Sequence, residues 1–150
     1  MYNIIKTICD DLGLAFYYGE KWVHTFNSLD ATFPAIFMFN IVERYLDFPI
    51  ESQEKELDFA FLVLKRIDEK DYINPDASVT DVHVSEMKTK LFLFLKELRD
   101  YKSNGVPLFN SGVAWQIKVT ETPNIKGIQE YVAGVYCEMK VKTKYLDSLC

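Results

Sequence analysis

Apolar residues recur three and four apart at the start of the chain. In YNIIKTICDDLG, residues 2–13, Ile4, Ile5, Ile8 and Leu12 fall on one helical face, and Gly13 can end the turn. LAFYY, residues 14–18, then reads as a short strand. GEKWVHTFNSLDAT is polar with scattered aromatics and reads as a loop, long for a compact domain. Two long strands follow, near 35–46 and 56–67, joined by DFPIESQEK. Pro34 stands just before the first, where a missing N–H costs little.

Neither long strand alternates as a strand wet on one side would. FPAIFMF carries Phe37 and Phe39 on one face and Ile36 and Met38 on the other. In the second strand Leu57, Phe59, Phe61 and Val63 point one way, and Ala60, Leu62 and Leu64 the other. Both strands are therefore apolar on both faces over their centres. Something must cover the second face: the N-terminal helix, the aromatic loop with Trp22 and Phe26, or another subunit.

INPDASVTDV is rich in turn formers, and a helix is expected to start near Thr80 or Asp81, both good N-caps, and to run over residues 80–102. Val84, Met87, Leu91, Phe94, Leu95, Leu98 and Tyr101 keep helical spacing up to YKSNG. LFLFL inside this stretch could mimic a strand, but its flanks, EMKTK and KELRDYK, are strong helix formers. Phe92 and Leu93 make the apolar stripe unusually wide. The last third does alternate: Trp115, Ile117 and Val119 oppose Gln116, Lys118 and Thr120. Ala133, Val135, Cys137, Met139 and Val141 likewise oppose Gly134, Tyr136, Glu138, Lys140 and Lys142, with PNIKGIQEY as the connection. This is a hairpin with one dry and one wet face. The order predicts an α+β fold: a mostly antiparallel sheet of two hairpins, one long amphipathic helix across a face, and an N-terminal helix.

Composition narrows this further. A length of 150 residues with 49% hydrophobic content fits a single α+β domain over residues 1–150 with a real core. The apolar runs are far short of the roughly 20 residues of a membrane helix, and the N-terminus does not read as a secretory signal. The net charge of −5 argues against sequence-specific nucleic-acid binding. That charge is uneven, since Val113 to Tyr145 holds five lysines against three glutamates. A basic hairpin on an acidic body can dock head to tail with its own copies. Cys9, Cys137 and Cys150 form neither a disulfide framework nor a zinc pattern, and read as reduced thiols of a cytosolic protein.

Candidate chemistry is sparse. His24 and His83 lack partners at ligand spacing, so no metal is expected. No phosphate-binding or nucleophile-elbow motif occurs, so no cofactor and no enzymatic activity are expected. Asp10 with Asp11, or Asp68 with Glu69 and Asp71, could form acid–base pairs but read more simply as solvated helix-end and turn carboxylates. Tyr17, Tyr18 and Trp22 could line a pocket or plug a core edge.

The element order, closing on GVYCEMKVKTKY, resembles the small tail-terminator and tail-completion proteins of tailed bacteriophages over nearly the whole chain. The resemblance implies a non-enzymatic α+β protein made in the host cytoplasm and built into the virion neck. Its copies would form a ring, commonly six-fold with twelve-fold as a variant, against adjacent neck, connector or tail proteins, with no membrane contact. A doubly apolar hairpin would supply the subunit contact, giving Phe33, Phe37, Met38, Phe39, Lys140 and Lys142 as the expected interface. A small cytosolic ligand-binding α+β domain is the alternative.

Overall fold

The computed structural model describes residues 1–18, 31–45, 54–109, 114–126 and 131–144. The fold is α+β. Its elements are α1 (Tyr2–Asp11), β1 (Ala15–Tyr18), β2 (Ala35–Met38), β3 (Val42–Tyr45), β4 (Glu54–Arg66), α2 (Glu69–Ile73), α3 (Ala77–Asp100), a short β5–β6 pair (Lys102–Ser103 and Val106–Pro107), β7 (Gln116–Lys126) and β8 (Tyr131–Lys144).

The main sheet runs β1-β2-β4-β8-β7, with β3 also on β4 beyond the end of β2. All pairings in it are antiparallel except β1 with β2. The expected strand over 35–46 is thus broken. Phe39 donates its N–H to the Ala60 carbonyl at 2.9 Å, β2 ends, and pairing with β4 resumes at Val42. Asn40, poorly suited to a strand, sits in the break. At the far edge β7 continues to Lys126 with an irregularity between Thr122 and Ile125, so the connection to β8 is 127–130 rather than 123–131 and lies outside the described residues.

The long helix starts earlier than Thr80. Asp76 is the N-cap, accepting from the backbone N–H of Ser78 at 2.9 Å and of Val79 at 3.4 Å. The helix closes at Asp100, with Tyr101 as C-cap. Val84, Met87, Leu91, Phe94, Leu95 and Leu98 are buried, as their spacing predicts. The short helix α2 ends on Ile73, the first residue of INPDASVTDV, over residues to which the sequence pattern assigns no element.

Both long helices lie on one face of the sheet. Ile5, Ile8 and Cys9 of α1 and the buried side of α3 share a core with Ile36 and Met38 of β2, Leu57, Phe59, Phe61 and Val63 of β4, and Val135, Cys137, Met139 and Val141 of β8. The N-terminal helix therefore does not cover the second face.

A charged groove on the face without helices

The second face divides into two halves. Around β2 and the C-terminal half of β4 it is apolar and closed by the chain itself. Ala31, Ala35, Phe37, Leu64 and Val132 are buried together, with Tyr17, Phe33 and Leu62 packed against them. The Tyr17 ring stacks on Phe37 with centroids 5.1 Å apart, and Phe33 meets the same ring at 5.9 Å. The Arg66 guanidinium stands over Phe33, 5.5 Å from its centroid. Tyr17 Oη accepts the Thr32 N–H at 2.8 Å, which fixes residues 31–33 over this cluster. The second apolar face of the first hairpin is thus covered from within one chain, by β1 and the end of the 19–32 segment. Trp22 and Phe26, named above as a possible cover, lie outside the described residues, as do His24 and Cys150.

Beyond the strand break the same face is polar and open. Sheet register sets its side chains in rows: Asp58 beside Lys140 beside Gln116, Ala60 beside Glu138 beside Lys118, and Leu62 beside Tyr136 beside Thr120. Ala60 is the small residue among long ones, and around it runs an open groove of about 400 Å³, with Asn40 and Val42 on its β3 side. Arg44 pairs with Asp58 Oδ2 at 2.7 Å, while Asp58 Oδ1 is buried without a hydrogen-bond partner among the described residues. Burial raises the Tyr136 phenol above its usual pKa, reinforced by the charge of Glu138 and a hydrogen bond to it. Phe39, 37% exposed, meets the Tyr136 ring edge-on at 6.2 Å.

The expected contact residues separate accordingly. Phe39, Lys140 and Lys142 are exposed on this face, and Lys140 lines the groove. Phe33 is half-buried as the cover over Phe37. Phe37 and Met38 are fully buried within the chain, on opposite faces of β2, and offer no surface to a neighbour. Asp58, Ala60, Tyr136 and Glu138 were not singled out by sequence. The available signal was the small Ala60 and the charged Asp58 interrupting an apolar strand face.

The carboxylates weighed as acid–base pairs are scattered. Asp10 pairs with Lys6 at 2.9 Å on the solvent side of α1, Asp68 occupies the N-cap position of α2 with no capping hydrogen bond from its side chain, and Glu69 accepts from Tyr131 Oη at 3.3 Å. Asp71 lies 3.4 Å from Nε2 of His83 and ties α2 to α3. Among the described residues no group of three His, Cys, Asp or Glu is placed to hold a metal ion, and no helix is long and apolar enough to cross a membrane. No protein-family model and no curated protein matches the chain.

The groove is lined by residues of mixed character. It offers charges of both signs, an aromatic ring and a small floor, which suits recognition of a mixed polar and apolar surface.

Proposed function

We propose that this chain is a structural subunit that assembles with copies of itself into a ring at the neck or tail junction of a tailed bacteriophage, in a terminator or completion role. Its work there is mechanical, and its partners are its own copies and the adjoining neck, connector or tail proteins. Assembly takes place in the host cytoplasm before incorporation into the virion. The element order supports this reading, and one observation carries it. Both long helices pack on one face of the sheet, while half of the other face stays uncovered and is shaped as a groove of mixed charge.

A ligand-binding domain is the second reading. The groove volume of about 400 Å³ favours it, being within the range of small-molecule sites. Such sites are mostly apolar and enclosed, however, and this one lies open on a strand face between Lys118, Glu138 and Lys140.

Size-exclusion chromatography with light scattering, followed by negative-stain microscopy, tests the proposal. Rings of six or twelve copies are expected. A monomer persisting at the highest attainable concentration would sink the assembly reading and leave the ligand-binding one.

A further inference from the structure

The side of α3 that faces away from the sheet carries an apolar ridge. Phe92 is 54% exposed and Leu93 is 42% exposed, although the buried stripe of the helix passes through their neighbours Leu91 and Phe94. One turn further on stand Lys96 and Glu97, both exposed and without an ion pair among the described residues. The groove lies on the other side of the molecule, across the sheet. Its floor is Ala60, and Lys118 and Lys140 line it without an ion pair among the described residues.

These two patches cannot meet within one chain, because the sheet separates them. Lying on opposite sides, they also cannot both be used in one two-fold contact. A convex apolar patch and a concave site elsewhere on the same molecule generate a head-to-tail contact. The charges agree with this pairing. The ridge presents one cation and one anion on successive residues, and the groove presents a carboxylate and lysines in adjacent rows.

We infer that the Phe92–Leu93 ridge of one copy seats in the Ala60 groove of the next, with Glu97 directed at Lys140. This rests on the assembly reading above and names the surfaces it uses. Phe92 and Leu93 fill the space over Ala60 against Tyr136. Because each copy retains a free ridge and a free groove after one contact, the contact allows continued addition of copies.

Two full-length variants test it. Phe92→Glu spoils the ridge and leaves the groove intact; Ala60→Trp fills the groove and leaves the ridge intact. Each alone is expected to be a folded monomer by light scattering and circular dichroism. Mixed in equal amounts, they are expected to form a one-to-one dimer that grows no further, because only one sound contact remains. Should Ala60→Trp fail to fold, Lys140→Glu replaces it. That change is expected to raise the half-assembly concentration several-fold at low salt, and adding Glu97→Lys to the same chain should restore it. Wild-type assembly with unaltered variants, or a mixture that stays monomeric, overturns this pairing and leaves the ring reading standing. A monomeric wild type overturns both.

Discussion

Phe61 of β4 and Phe94 of α3 meet edge to face, with ring centroids 5.5 Å apart and planes at 70°. Both rings are fully buried, so this contact fixes the long helix across the centre of the sheet. Phe94→Ala should cost about 3–5 kcal/mol, the usual range for a buried phenylalanine. Val82→Ala, on the same helix and 55% exposed, should change stability by no more than about 0.5 kcal/mol. Urea melts of the two variants check the pair. Similar losses for both would mean that α3 is rotated from the orientation described.

Gly134 of β8 lies opposite Leu64 of β4. A Cβ placed on it would fall well inside contact distance of the Val63 carbonyl oxygen and 2.9 Å from the carbonyl carbon. These are backbone atoms of the neighbouring strand, so relief requires the sheet to shift. Gly134→Ala should destabilise by about 1–3 kcal/mol or more through overpacking, against the ordinary gain from replacing a strand glycine. Chemical denaturation measures it. A neutral or stabilising result would show that β4 and β8 separate easily at this point.

Much of this was legible in the pattern of the sequence, for a physical reason. Leu57, Phe59, Phe61 and Val63 alternate along β4, Val135, Cys137, Met139 and Val141 along β8, and the α3 stripe recurs at helical spacing. Each set faces the same core. Local periodicity reports burial, so elements with a dry face are readable. The break between β2 and β3 was hidden because Ile41 and Val42 continue the apolar run, and a lone Asn40 is a weak signal. The parallel β1–β2 pairing depends on partners 20 residues apart, Ala15 with Ala35, which periodicity does not encode. The groove was unreadable for the same reason. Asp58, Lys140 and Gln116 become neighbours only through register across three strands. The doubly apolar pattern implies a cover for the second face, and that cover comes from Tyr17, Ala31 and Phe33 of the same chain.

Asp76 begins α3, with its Oδ1 accepting from the Ser78 hydroxyl and from the backbone N–H of Ser78 and Val79. The Ser78 hydroxyl and these N–H groups hold the Asp76 carboxyl below its ordinary pKa of 3.8. A depressed carboxyl pKa contributes stability that is present above the unfolded value and is lost as pH falls through the folded one. Asp76→Ala should therefore lower the melting temperature at pH 7, while Asp76→Asn, which can still cap, should lower it less. The gap between wild type and Asp76→Ala should narrow below pH 4. Thermal melts followed by circular dichroism from pH 7 down to pH 3 check this. A gap that stays constant with pH would remove the charged cap from the account of where α3 starts.

Cys9 of α1 and Cys137 of β8 are both fully buried in the core between the helices and the sheet. Burial pushes each thiol from 9.0 up to about 12, with the charge of Asp10 reinforcing it at Cys9 and that of Glu138 at Cys137. The thiolate is the reactive form, so neither side chain should be alkylated in the native protein at pH 8, while both should react once the chain is unfolded. Site-resolved mass spectrometry after iodoacetamide treatment distinguishes them. The same shift has a consequence for stability. Above about pH 9 the unfolded chain loses these protons first and so binds fewer of them than the folded one. Stability then falls as pH rises through the interval up to about 12, while the contribution is fully present below pH 9. A Cys9→Ala, Cys137→Ala double variant lacks these two groups, so its denaturation midpoint should fall less than that of the wild type between pH 8 and about pH 10.5. Equal declines, or rapid native alkylation at either position, would mean that the core opens around these thiols more readily than their burial implies.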